Sequence, residues 1–390
     1  KTMTKCHYKK GDFMKKQLTV ALGLAVLATP AFASKARLQA LGEDTNGSFY
    51  INDNRNIFLN AAHVNNHKGL VTFETGSTKT DQFDDSAAAP RPEGGVFFGQ
   101  GNMVYGVQLG NESNTSNLLR NWAATNTEQN NVDVFVGGDA GMKWGANLTY
   151  SNTSESSDAG GDQSVMRTRL GVSQGDWDAF ANISLKNEST SETGNEFEGK
   201  MGYQVGGSYM MNDYKLFAEY RSIKAEDKAT KADGEIGLWR VGAGRTAKLN
   251  DKANLFTKLE VSRTTLNAET TASSTITTGG EDQITTNVPL TIGLEVDATS
   301  WLTLRGSVAQ SLHSDVSLKG QSNENLADTT IVNAGASLKF GELSIDGVIG
   351  NTTADAVVPA AGATTAGGFG TNGSLRTDNL MSRVSMTYKF

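Results

Sequence analysis

Leu380-Met381-Ser382-Arg383-Val384-Ser385-Met386-Thr387-Tyr388-Lys389-Phe390 reads as one long alternating strand. Successive side chains of an extended chain point to opposite faces. Leu380, Val384, Met386, Tyr388 and Phe390 therefore share one face, and Met381, Arg383, Ser385, Thr387 and Lys389 share the other. A soluble sandwich also alternates, but nothing in its physics calls for a final strand that finishes on an aromatic residue.

The same period continues upstream. Met142, Trp144, Ala146, Leu148 and Tyr150 oppose Lys143, Gly145, Asn147 and Thr149, and Val288, Leu290, Ile292, Leu294 and Val296 oppose Thr291, Gly293, Glu295 and Asp297. Runs of this kind recur from about residue 130 to the end. Short connections such as Gly138-Asp139-Ala140, Gln174-Gly175-Asp176, Met211-Asn212-Asp213 and Asn250-Asp251 carry the Gly, Asn and Asp that tight hairpins require. They alternate with longer polar connections, read at 152–162, 187–197, 225–234, 267–285, 313–328 and 352–378. Short turns on one rim and long loops on the other are the asymmetry of a transmembrane barrel, and in lipid every backbone amide must be paired, which forces the sheet to close. Aromatic residues near strand ends, among them Trp144, Trp177, Tyr214, Trp301 and Tyr388, suit the two membrane interfaces.

The chain resembles the porin-like β-barrels of the Gram-negative outer membrane, and its last strand resembles the C-terminal signal of that class, ending on Phe390. The resemblance implies delivery by periplasmic chaperones, recognition by the barrel-insertion machinery, and a surround of outer-membrane lipid and lipopolysaccharide. The expected fold is an all-β transmembrane antiparallel barrel of about 16 strands, with 14 as the alternative. The count turns on whether the runs 69–75 and 95–100 form the first hairpin or lie inside.

The front of the chain agrees about the compartment. Met14-Lys15-Lys16, an apolar stretch from Leu18 to Leu27 and Ala31-Phe32-Ala33 before Ser34 read as an export signal, too short to span a bilayer as a helix. Residues 1–13 read as translated sequence upstream of the true start, so 1–33 are set aside. Cys6, the sole cysteine, goes with them, leaving no disulfide to staple the fold. The formal charge of −7 becomes about −12 for residues 34–390, which argues against nucleic acid as a partner. Hydrophobic residues at 37% and 43 glycines suit strands that spend half their side chains on a polar lumen, and no long apolar run is present for a helical membrane protein.

Three segments follow: 1–33 upstream residues and signal, 34–68 an N-terminal plug or tail, and 69–390 the barrel. Lys35 to Gly42 reads as a short amphipathic helix closed by glycine. Further on, the stretch Ile51 to Val64, with Asp53, Ile57 and Asn60-Ala61-Ala62, resembles the hatch of the long-chain fatty-acid and aromatic-hydrocarbon transporter family, whose D-x-x-x-I-x-x-N-P-A motif carries a proline after the Asn. Here Asn60, Ala61 and Ala62 lack it. The other reading is a periplasmic tail tucked into the lumen for stability.

The phase that sends apolar residues outward sends Arg167, Arg169, Lys200, Glu219, Arg221, Arg240 and Lys258 inward. It does the same for Glu260, Glu295, Asp297, Arg305, Lys339, Asp346 and Arg383. A dry core could not hold so many charges, whereas a water-filled pore can. Opposed acidic and basic walls resemble the eyelet of general porins. The stretch 78–93, with Asp81, Asp84, Asp85 and Glu93, is a candidate constriction loop or an exposed outer loop. Catalysis finds little support. His63 and His67 have the spacing of a zinc helix without its Glu, and His313 has no Gly-x-Ser-x-Gly partner. Neither a cofactor nor a metal is expected. The reading is a porin-like channel for passive diffusion of small polar solutes. The alternatives are a hatch-bearing transporter of hydrophobic substrates and a sealed structural or adhesive barrel. Small outward residues at Ala179-Ala181 and Ala334-Ala336 are candidates for a homotrimer interface.

Overall fold

A computed structural model of the chain describes residues 34–77, 92–154, 161–191, 193–271, 278–319, 324–325, 330–351 and 380–390. The export signal read in 1–33 and the acidic residues Asp81, Asp84 and Asp85 lie outside them.

The described strands form one closed antiparallel barrel of 16 wall strands. In chain order they are β1 (Leu70–Ser77), β2 (Glu93–Gln100), β3 (Met103–Leu109), β4 (Val132–Asp139), β5 (Lys143–Thr153), β6 (Gln163–Gln174) and β7 (Trp177–Thr190). β8 has two segments, Glu196–Gly199 and Gly202–Met211, followed by β9 (Tyr214–Asp227), β10 (Ala232–Asn250), β11 (Ala253–Ala268), β12 (Gln283–Asp297) and β13 (Leu302–Leu318). β14 again has two segments, Glu324–Asn325 and Thr330–Phe340, and β15 (Leu343–Asn351) and β16 (Leu380–Lys389) complete the wall. The runs left open before residue 103 are thus the first hairpin. Closure is made by β1 and β16, in register from Leu70 opposite Lys389 to Ser77 opposite Ser382.

Gly69 sits on this seam. Its N–H donates to Phe97 O (3.1 Å) and its carbonyl accepts from Phe390 N–H (3.0 Å). Its φ is +81°, and a Cβ there would stand 2.3 Å from Phe390 O, so only glycine fits.

Burial follows the pleat. Val384 (51% exposed) and Met386 (42%) face out, while Arg383, Ser385 and Thr387 between and beside them are buried. A side chain facing lipid is apolar because hydrocarbon offers no partner for a polar one. Exposed aromatics fall in two belts. Trp144, Trp177, Tyr214 and Tyr388 lie near the rim of short turns, and Tyr150, Tyr203, Tyr220 and Trp239 lie farther along their strands. No helix among the described residues is long and apolar enough to cross a membrane.

The rims are unequal, with two corrections to the sequence reading. The connections expected to be long at 187–197 and 225–234 are short, because β7 runs on to Thr190 and β9 and β10 run on to Asp227 and back from Ala232. Hydrogen bonding continues there beyond the apolar band. Charged pairs such as Lys224 with Glu235 (2.9 Å) and Lys228 with Glu198 (2.5 Å) cover these extensions.

Two elements leave the wall. Residues 34–68 precede β1 and hold helix α1 (Lys35–Ala40) and two 3-10 turns, Asn54–Phe58 and Ala61–Asn66. Ser34, Asp53 and Asn60 cap them, each side-chain oxygen accepting a backbone N–H two or three residues on. Between β3 and β4 lies helix α2 (Asn114–Trp122), capped by Ser113, with Leu118, Leu119 and Trp122 on one side.

Candidate functional site: a charged lumen and its resident segment

Residues 34–68 pack against inward-facing side chains on opposite parts of the wall. Helix α1 lies on β13 to β16, and the turn at 61–66 lies on β3 to β6. Apolar anchors account for part of the fit. Leu38, Leu41 and Ile51 gather on Phe256, and Phe49 and Leu59 on Phe180 and Phe217. Each such side chain contributes roughly 1.5–3 kcal/mol on burial.

The wall makes room for the segment with glycine. A Cβ at Gly145 would stand 2.1 Å from Ala61 O, one at Gly171 1.8 Å from Asn60 Oδ1, and one at Gly137 2.4 Å from a Val64 methyl. Polar contacts fix the same stretch. Asn60 donates from Nδ2 to Val172 O (3.2 Å) and Ala179 O (3.3 Å), and Asn65 donates from Nδ2 to Trp144 O (2.8 Å). Asn60, Ala61 and Ala62 are all buried, with Asn60 as the cap that starts the turn.

Ion pairs complete the seat. Arg37 donates from Nε and Nη2 to the two oxygens of Glu295 (2.9 and 3.2 Å) and from Nη1 to Asp53 (3.1 Å). Arg305 donates from Nε to the same Glu295 oxygen that Arg37 Nε reaches (2.5 Å) and from Nη1 to Asp346 (2.7 Å), which also accepts from Ser34 (3.2 Å). Arg55 bonds Glu93 (2.9 Å) and Asn111 (3.0 Å) while its guanidinium stacks 4.1 Å from the Phe58 ring centre, and Lys35 pairs with Glu93 as well. Lys258 bonds Glu43 (2.8 Å). Buried charges are tolerable only when paired and hydrogen-bonded, and here the partners come from wall and segment alike.

The remaining sequence-assigned lumen residues fall into smaller groups. Arg167 forms a fork on Glu128 (2.5 Å twice), and Arg169 bonds Asp133 (2.8 Å). Glu219 takes Arg240 (2.6 Å) and Arg221 (3.1 Å). Glu260 lies 3.4 Å from Lys258, and Asp297 pairs with Lys339 (3.0 Å) near the short-turn rim. Arg383 is buried on β16. The charges are thus interleaved as neighbours, where the sequence reading expected separate acidic and basic walls.

Two assignments differ. Lys200 points outward, exposed and paired with Asp233 (2.7 Å), because the break between Gly199 and Gly202 adds one residue and reverses the inside–outside phase. Glu93 is the first residue of β2, where it holds Lys35 and Arg55, and so is part of the wall. His63 and His67 sit on the 61–66 turn and its cap, and His313 is exposed beside Asp315 (2.9 Å). Among the described residues no group of three or more His, Cys, Asp or Glu side chains is placed to hold a metal.

Sequence reasoning missed α2. It folds inward, and Leu118, Leu119 and Trp122 pack with the inward residues Phe197, Ala225, Ile236 and Leu266 of β8 to β11. Trp122 donates from Nε1 to Glu269 O (2.9 Å), and Arg120 bonds Asn187 (2.6 and 3.0 Å). The signal was present as a capping Ser113 followed by Leu118, Leu119 and Trp122 at helical spacing. Glu74, Asp133 and Glu128 were also missed as interior carboxylates.

With closure, outward apolar face and charged interior in place, the wall can be compared with solved structures. The chain is similar to a bacterial polysaccharide outer membrane secretin, with a TM-score of 0.50 at 9% identity over 84% of this chain and 99% of that one. The fold is that of an outer-membrane β-barrel. Weaker likenesses include a Pseudomonas aeruginosa FadL homologue (TM-score 0.43, 12% identity, 92% of this chain and 98% of that one). A porin gives a TM-score of 0.38 at 13% identity over 82% and 99%. No family model and no curated protein matches the sequence.

Proposed function

We propose that this chain is an outer-membrane channel for small polar and charged solutes, closed at rest by its own residues 34–68. The observation that carries the reading is the seat of that segment. Arg37, Arg55 and Glu43 are held by lumen charges of opposite sign, so the segment leaves a hydrated, charge-lined passage when it moves. Polar walls of this kind favour hydrated solutes over hydrocarbons. The setting is the outer membrane of a Gram-negative cell, with lipopolysaccharide outside and the insertion machinery as an assembly partner. The outward alanines 179, 181, 334 and 336 remain the proposed contact for a homotrimer.

Single-channel recording in planar bilayers tests this. The full chain should be mostly closed, and removal of residues 34–68 should give stepwise ohmic openings. Silence after the deletion would overturn the channel reading. The competing function, a transporter of hydrophobic substrates, draws on the seating of Asn60-Ala61-Ala62 against β5 and β6. It predicts uptake of a labelled alkane or fatty acid into liposomes in preference to sugars.

A further inference from the structure

Phe49 does not merely fill space. Its ring lies stacked on Phe217, 4.6 Å between centres and 5° between planes, with Phe180 at 6.0 Å and the Arg240 guanidinium 5.2 Å from its centre. The rings are seated over inward glycines. A Cβ at Gly206 would stand 2.7 Å from Phe180, and one at Gly242 would stand 2.5 Å from Phe217 and 2.8 Å from the Glu260 Cβ. The aromatic slot and the charged side chains of β11 therefore meet over one glycine.

The same segment supplies an anion to the wall. Glu43 accepts from Lys258 (2.8 Å) and from the Tyr50 hydroxyl (3.3 Å). On the wall, Arg221 and Arg240 both bond Glu219, and Glu260 lies 3.4 Å from Lys258. Withdrawal of residues 34–68 takes Glu43 away from Lys258. Lys258, which keeps Glu260 at 3.4 Å, and Arg240 then flank the vacated aromatic slot. That combination, a flat apolar slot under a guanidinium beside an ammonium that has lost its carboxylate partner, recognises a ring that carries a negative charge.

We propose that Phe217, Arg240 and Lys258 form a binding site for an aromatic carboxylate, which Phe49 and Glu43 occupy in the closed state. The solute competes with the segment for its own seat and so favours opening. This rests on residues 34–68 being displaceable, as in the channel reading above. A competitor binds in proportion to the fraction of protein in which the slot is vacant, so emptying the slot internally tightens apparent binding.

Benzoate is the probe, and calorimetric titration of the full chain in detergent is the first readout. Binding of benzoate with neither acetate nor benzyl alcohol bound at equal concentration is expected. Phe49→Ala, which leaves the wall untouched, should tighten benzoate about tenfold, and Phe217→Ala should abolish it. In bilayers, benzoate should raise the open probability of the full chain. Equal behaviour of benzoate and acetate, or an unchanged benzoate affinity in Phe49→Ala, overturns the site. If deletion of 34–68 opens the pore while benzoate fails to bind, the site is wrong and the channel stands. If benzoate binds as described while the deletion stays silent, the channel reading falls and the site is retained.

Discussion

Replacing Arg37 by alanine should release the resident segment without dismantling the wall. The guanidinium makes a fork on Glu295 (2.9 and 3.2 Å), a bond to Asp53 (3.1 Å) and one to Asn52 O (2.9 Å), and it is 6% exposed. Removing one partner of a buried, hydrogen-bonded ion pair costs about 3–5 kcal/mol. The low end applies, because Glu295 keeps Arg305 and Asp53 keeps the Arg55 backbone N–H (2.9 Å). A loss of about 3 kcal/mol lowers the docking constant roughly a hundredfold. The measurements are open probability in a planar bilayer and amide exchange across 34–68, with heat-modifiable mobility as the check that the barrel is intact. Arg37→Lys should recover only part of the effect, since an ammonium keeps the charge and loses the fork. Wild-type gating together with wild-type exchange in Arg37→Ala would refute the idea that this ion pair holds the segment in place.

Gly145→Val should have a similar result from the opposite side. Its Cβ would meet Ala61 O at 2.1 Å, so exchange in 61–66 should accelerate while β5 stays protected, and unchanged exchange would count against the seat. Acid should also loosen the segment. Burial holds His63 down to about 4 and His67 to about 3, the nearby charges of Asp178, Lys215 and Lys143 acting less strongly on His63. Both are bases depressed in the docked state, so docking is strongest above the ordinary histidine range and weakens as pH falls from about 6.5 toward 4. Open probability should therefore rise between pH 7.5 and 5, and the His63→Gln, His67→Gln double variant should lose that rise. Finally, Arg221→Glu should move the reversal potential of the opened pore toward cation selectivity, and Lys200→Glu should leave it unchanged. A shift from Lys200→Glu would place that side chain back in the lumen.

How far these residues could be read beforehand depended on which physics placed them. The pleat has a period of two and lipid enforces it on one face, so Arg167, Glu219, Glu295, Arg305 and Asp346 could be assigned inward from their neighbours alone. Lys200 could not. The extra residue between Gly199 and Gly202 costs nothing in composition and reverses every side chain beyond it. The interior partners were hidden for another reason. Whether Arg37 meets Glu295 or Arg55 meets Glu93 is decided by how a non-regular segment crosses the lumen, and no local periodicity encodes that path. The signals that did exist were the caps Ser34, Asp53 and Asn60 and the inward glycines at 137, 145 and 171, each reserving space for atoms of a segment arriving from elsewhere. Helix α2 was legible as a helix from its cap and its leucines. Its inward fold was not, because the apolar surface receiving it is spread over β8 to β11.

The junction at Lys68-Gly69 has a consequence for the lifetime of any opening. Gly69 is fixed to both flanking strands at the short-turn rim, so an undocked segment stays tethered to the mouth it has just left. Fully extended, residues 34–68 reach roughly 120 Å, at about 3.3–3.6 Å per residue. A flexible chain of that length, tethered at Gly69, presents its docking side chains to the lumen at an effective concentration on the order of millimolar. Reclosure is therefore intramolecular, independent of how much protein the membrane holds, and faster than capture of any dilute competitor. On the proposed channel reading, a solute that holds the passage open has to be present at comparable concentration or arrive continuously, and flux would be self-limiting once the supply outside declines.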